Sequence, residues 1–185
     1  MKKWNILPLL FIIGVFTSTC QAPLSTPKSS ISYPADLKIT YGWNTGSLPP
    51  KYHYSYQIVI QADGSGQFIY QQGYTGDGAP VSSVSAFTIP TEKMNQLYQL
   101  LLTKNLLRTE WAKKEPLIGG SSSDMQILAD GKEYSIPNDA ILIDQDRSDA
   151  AEVYNFIKTL VPVSIWDDLT KKRQIVDAAT DVPAQ

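Results

Sequence analysis

The chain of 185 residues has one cysteine and one histidine. One cysteine, Cys20, cannot close a disulfide within the chain. One imidazole, His53, cannot build a Cys/His zinc site, so no metal or other cofactor is expected. Any Ser-His-Asp or Cys-His pairing would have to use His53 as its base. Charge is sparse as well: 18% of residues are charged, for a net of −2. The longest basic run is Lys171-Lys172-Arg173. Nucleic-acid binding needs a basic footprint to neutralise phosphates, so no nucleic-acid partner is expected. The basic run reads as a solvated helix face. Long hydrophobic runs are missing too. The longest, Ile6 to Phe16, spans eleven residues and is broken by Pro8 and Gly14. As a helix it rises about 16 Å, against roughly 30 Å for a bilayer core, so it is too short to span a membrane.

What is present begins with that run. Met1-Lys2-Lys3 is basic, Ile6 to Phe16 is apolar, and Thr17-Ser18-Thr19 is small and polar. This is the order of a secretory signal peptide over residues 1–19. Cys20 follows at once. Thr17-Ser18-Thr19-Cys20 resembles the lipobox of bacterial lipoproteins, with Thr17 where that family has a Leu-like residue and Thr19 where it has Gly, Ala or Ser. The resemblance implies cleavage before Cys20 and lipid on its thiol, with acyl chains such as palmitate. It implies an exported protein held at the membrane of the cell envelope. Gln21 is not an inner-membrane retention signal, so the outer membrane is the default where the host has two. Residues 20–35, "CQAPLSTPKSSISYPA", are rich in Pro and Ser and have little to bury. They read as a flexible tether between lipid and domain.

The length and the 43% hydrophobic content suit one folded domain, read as residues 36–176, with a loose tail at 177–185. Leu37-Lys38-Ile39-Thr40-Tyr41 alternates as a half-buried strand, and "GWNTGSLPPK" reads as a loop. Tyr52 to Ala62 is the clearest strand. Tyr52, Tyr54, Tyr56, Ile58 and Ile60 share one face, and His53, Ser55, Gln57 and Gln61 the other. A three-residue loop Gly64-Ser65-Gly66, with Gly66 left-handed, would set Ile60 opposite Tyr70. Val81 to Ile89 is a strand. Thr91 suits an N-cap for a helix carrying Met94, Leu97, Tyr98 and Leu101, to about Leu106. Trp111 is expected to pin the following loop to the core. Asp130-Gly131 is a two-residue hairpin turn that sets Ile127 opposite Tyr134 and Met125 opposite Ile136. Asp146 or Ser148 could cap a helix carrying Ala151, Tyr154, Ile157 and Val161, and a last helix spans Ile165 to Val176. The fold class is α+β: an antiparallel sheet of about five to six strands, with two Asp-Gly hairpins, and two to three helices on one face.

"YQIVIQADGSGQFIY", "FTIPTEKMNQLYQLL" and "ILADGKEYSIP" together resemble small α+β domains of bacterial envelopes, over residues 37–160. That resemblance implies no catalytic residues. The residues offer few of their own. His53 reads as a structural or surface histidine. Asp63-Gly64-Ser65-Gly66 lies between strands, not between strand and helix as a nucleophile elbow does. Asp144, Asp146 and Ser148 alternate as in a calcium loop. However, Asp149 stands where that loop needs glycine, so an acidic helix start is the simpler reading. Gly119-Gly120-Ser121-Ser122-Ser123 could cradle an anion but leads into a strand. Aromatic residues gather around the first hairpin; Trp43, Tyr52 and Tyr74 lie nearest the loops and are the candidate ligand contacts. The expected function is a non-catalytic, lipid-anchored binding or assembly protein, with an envelope protein or peptide as partner. The alternatives are an extracellular hydrolase using Asp124, Asp139 and Asp144 as paired acids, and a secreted structural domain with no ligand.

Overall fold

The structure is a computed structural model and describes residues 32–74, 81–116 and 119–180. The expected signal peptide, Cys20 and most of the expected tether lie outside the described residues. Six strands form one antiparallel sheet: β1 (Lys38–Asn44), β2 (Tyr54–Gln61), β3 (Ser65–Gln72), β4 (Val81–Thr88), β5 (Ser122–Ala129) and β6 (Lys132–Ile136). Their order across the sheet is β4-β3-β2-β1-β5-β6. Three helices complete the fold: α1 (Thr91–Thr103), α2 (Asp144–Leu160) and α3 (Val163–Thr180). The expected α+β class is the observed one. Among the described residues no helix is long and apolar enough to cross a membrane.

Alternation decides the faces. Ile39, Tyr41, Ile58, Ile60, Phe68, Tyr70, Met125 and Ile127 are all buried on the inner face. Each such aliphatic side chain removed from water contributes about 1.5–3 kcal/mol. The helices cover this face. Tyr154 of α2 meets Tyr41 at 4.9 Å between ring centres. Trp166 of α3 stands edge-on to Tyr56 and Phe68, at 5.3 and 5.1 Å. Met94, Leu97, Tyr98 and Leu101 are the buried residues of α1, as their spacing requires.

The second hairpin has the expected register, with Ala129 opposite Lys132, Ile127 opposite Tyr134 and Met125 opposite Ile136. Asp130 and Gly131 both adopt positive φ, 53° and 71°. That pair matches the right-handed strand twist. The first hairpin differs from expectation. Ile60 faces Gly66, Ile58 faces Phe68 and Tyr56 faces Tyr70. The loop is Ala62-Asp63-Gly64, and Gly64, not Gly66, is left-handed at φ 80°. The reason lies in β4. Gly66 faces Phe87, and a Cβ on it would fall 2.4 Å from the Phe87 ring. Ile89 donates its N–H to the Gly64 carbonyl at 2.8 Å.

Other boundaries shift for local reasons. Gly42, Trp43 and Asn44 belong to β1, not to a loop, because they pair with both β2 and β5. Thr91 is the first residue of α1 and not its cap. The Pro90 carbonyl already accepts from the Lys93 and Met94 N–H groups, at 2.9 and 3.1 Å. α1 ends at Thr103 because Asn105 turns left-handed at φ 51°. The Leu106 N–H then returns to the Leu101 carbonyl, as in a Schellman cap. α2 starts at Asp144, with neither Asp146 nor Ser148 as its cap. α3 runs from Val163 to Thr180, past the expected end at Val176.

The acids stand in the first turns of α2, the acidic helix start read from the sequence, and cations hold them. Asp144 pairs with Lys114 at 2.7 Å, Asp146 with Arg108 at 2.6 Å and Asp149 with Lys104 at 3.2 Å. Trp111 packs partly buried against the core, as expected, under the Arg108 guanidinium at 4.0 Å. The basic run on α3 is a solvated face only at Lys171. Lys172 donates to Ser83 Oγ at 2.7 Å, and Arg173 lies 4.1 Å over the Tyr54 ring. Long cationic stems cover aromatic surface here instead of facing water.

Candidate functional site

At one end of the sheet, three loops and the Asp139–Ile141 turn enclose a cleft of about 520 Å³. Its walls include Asn44, Gly46, Ser47, His53, Tyr74, Gly119, Gly120, Ser121, Ser122 and Asn138. Three features that stand far apart in the chain therefore meet: His53, Tyr74 and the Gly119-Gly120-Ser121-Ser122 segment.

Each wall is fixed from below. Asn44, the last residue of β1, accepts the Gly46 N–H through Oδ1 at 2.8 Å and donates through Nδ2 to Ser122 Oγ at 3.0 Å. Gly46 sits at φ 75°, and a Cβ there would lie 2.0 Å from the Gly120 carbonyl oxygen. Only glycine permits that approach of two backbones. Tyr74 shares its hydroxyl hydrogen between the Leu48 and Gly46 carbonyls, at 2.8 and 3.2 Å. Its ring stacks on His53 at 3.8 Å and 21°. His53 is buried, and its Nδ1 meets the Gly73 carbonyl at 3.1 Å. On the far wall Asn138 accepts the Ala140 N–H at 2.9 Å. Behind the cleft, Asp139 accepts the Ser123 N–H at 3.0 Å, and buried Ser123 shares a hydrogen bond with Tyr41 at 3.2 Å.

The chemistry of the described walls is neutral. Among the described residues no Asp, Glu, Lys or Arg lines the cleft, and His53 is its imidazole. The groups on offer are amides, hydroxyls and backbone, which donate and accept hydrogen bonds without fixed charge.

Of the candidate ligand contacts, only Tyr74 lies in the cleft. Trp43 turns to the inner face, stacked on Tyr56 at 5.0 Å. Tyr52 is half-buried beneath Lys51, whose Nζ is 4.6 Å from the ring centre. None of the three candidate acids lines this cleft. Asp144 is engaged by Lys114 and Arg147, and the Lys114 hydrogen bond leads in holding its carboxyl below the usual range. Asp139 is occupied by Ser123. Asp124 lies on the open face of the sheet, over Gly42, where an added Cβ would come within 3.1 Å of its Oδ1. Desolvation against the sheet, and then the charge of Asp139, push the Asp124 carboxyl up. Among the described residues no group of three His, Cys, Asp or Glu could hold a metal ion.

Asn44, Ser47 and Asn138 carry no signal at the sequence level beyond turn chemistry. Asn44-Thr45-Gly46 marks a turn, and the Asn side chain caps it as such residues do. Nothing local tells that this turn faces Ser122. No protein family matches this chain, and no curated protein is similar to it.

Proposed function

We propose that this chain is an exported, lipid-anchored binding protein of the cell envelope, tethered through Cys20, whose cleft takes an uncharged, hydrogen-bonding ligand. The observation that carries the anchor is the position of the only cysteine, directly after a basic, apolar and then small-residue leader. β1 opens at Lys38, so a Pro- and Ser-rich link separates Cys20 from the sheet. In a host with two membranes, Gln21 after the cysteine directs the protein to the outer one. The cleft favours a peptide main chain as ligand, since its described walls present amide, hydroxyl and backbone groups and no formal charge. Catalysis is not part of this reading.

The anchor is tested by the intact mass of the protein from the membrane fraction of its own host. A chain that starts at Cys20 and carries diacylglycerol or three acyl chains supports it; an unlipidated chain in the soluble fraction overturns it. The cleft is tested by peptide selection on the purified protein, with Ser121→Trp as counter-screen. Ser121 is exposed, so the indole fills the cleft without disturbing the core. Selected peptides that bind the native chain and the variant equally would remove the cleft from the proposal.

A further inference from the structure

The two edges of the sheet are built differently. β6 is five residues long and carries Lys132 and Glu133. Short length and charge are the usual protection of an edge. β4 is eight residues long, Val81-Ser82-Ser83-Val84-Ser85-Ala86-Phe87-Thr88, with no charge and no proline. Its partner on one side is β3, along its whole length. Among the described residues no strand lies beyond it. Its open-face residues Ser82, Val84, Ala86 and Thr88 are exposed, and Val84 is 63% exposed, far more than a strand valine inside a sheet.

We propose that β4 pairs with β4 of a second copy, antiparallel, with Val84 on the two-fold axis. The strand's own sequence selects this partner. With Val84 opposite itself, Ser82 faces Ala86, Ser83 faces Ser85 and Val81 faces Phe87. β4 carries no charge, so no like charges meet at any of the seven positions from Val81 to Phe87 that pair in this register, whereas β6 carries Lys132 and Glu133. Val84, an exposed large apolar side chain, finds its own copy and leaves water. An axis normal to the sheet keeps both sets of helices on the same side, so two six-stranded sheets become one continuous sheet. The free backbone groups along β4 are then satisfied by each other.

Val84→Cys in the full-length chain, expressed in its host and oxidised, tests the register. Opposed residues in an antiparallel pair lie about 4.5 or 5.5 Å apart between Cα atoms, within disulfide reach in either case. The expected result is a covalent dimer for Val84→Cys, while the native chain, whose only thiol is Cys20, gives none. Ser82→Cys and Ala86→Cys, each alone, give none either, but together they cross-link. Val84→Lys keeps the fold by circular dichroism and sediments as a monomer in detergent, where the native chain sediments as a dimer. A native chain that sediments as a monomer overturns the proposal. So does a Val84→Cys thiol that stays reduced because residues 1–31 or another protein cover the edge. Cross-linking of Ser82→Cys alone as readily as Val84→Cys overturns the register.

Discussion

Gly66→Ala would test the first hairpin through its contact with β4. The added Cβ would stand 2.4 Å from two ring atoms of Phe87 and 2.8 Å from a third. Carbon atoms in contact prefer about 3.5–4.0 Å, so the ring must retreat by about 1 Å. Phe87 is 9% exposed and belongs to the core, so it has little room to retreat. Overpacking of this kind costs about 1–3 kcal/mol. Replacing a strand glycine by alanine returns about 0.5–1 kcal/mol of backbone entropy. The net expectation is a loss of about 1–2 kcal/mol in urea unfolding, or roughly 2–8 °C in Tm. The single variant alone does not discriminate, because a left-handed loop glycine would also resist alanine. Phe87→Leu supplies the control. It removes the ring atoms that collide and by itself costs about 1–2 kcal/mol in lost area and cavity. The double variant should lose less than the two singles added, by about 1 kcal/mol or more. Strict additivity would refute the reasoning, since it would mean that the cost at Gly66 does not arise from the Phe87 ring.

Asp36 accepts the Asp130 and Gly131 N–H groups at 2.9 and 2.6 Å, and the Gly131 bond leads in holding its carboxyl below its ordinary 3.8. Its stabilisation is therefore present above the unfolded pKa and lost as pH falls through the lower folded one. Asp36→Asn should be less stable than the native chain above about pH 5, and the gap should close on acidification; a constant gap from neutral to acid pH would contradict this. The Tyr154 hydroxyl is buried with no hydrogen-bond partner among the described residues, while that of Tyr41 reaches Ser123. Tyr154→Phe should leave stability within about 0.5 kcal/mol or raise it, and Tyr41→Phe should cost about 1 kcal/mol; the reverse order in chemical denaturation would count against the packing described. Arg173→Ala should cost about 1 kcal/mol through its lost cover of Tyr54, with Arg173→Lys only a partial replacement, and Lys171→Ala should fall within about 0.5 kcal/mol of native. Equal effects at 171 and 173 would restore the solvated-face reading.

How much of this was legible in the sequence depended on the reach of the deciding contact. The second hairpin was readable in full because Asp130-Gly131 admits positive φ at both positions and so settles the turn by itself. α1 was readable because Met94, Leu97, Tyr98 and Leu101 mark its buried face without help from elsewhere. The first hairpin was readable only in parity. Either glycine of Asp63-Gly64-Ser65-Gly66 can turn left-handed, and both resulting registers keep Ile58, Ile60, Phe68 and Tyr70 on one face. The choice between them is made by Phe87 and Ile89, which reach the hairpin only after β4 has docked. The basic run on α3 misled for the same reason. Its helical period shows a polar stripe, but the Tyr54 ring beneath Arg173 lies more than a hundred residues earlier in the chain.

The cleft is the extreme case, and its composition explains why. A catalytic cluster announces itself by residue type, since few side chains titrate or bind metal. A neutral binding wall uses Asn, Ser, Gly and Tyr, which are also the residues of ordinary turns. Here Asn44 and His53 bound the β1–β2 loop, while Tyr74, Gly120 and Asn138 come from three other connections, and all meet only because β1 sits at the centre of the sheet, between β2 and β5. That placement brings the β1–β2 loop against the segment before β5, and the contact is tight enough that Gly46 tolerates no Cβ beside the Gly120 carbonyl. Strand order, a property of the whole sheet, therefore decides whether these turns are scattered surface or one wall. A cleft walled by neutral turn residues becomes visible only after the topology is known.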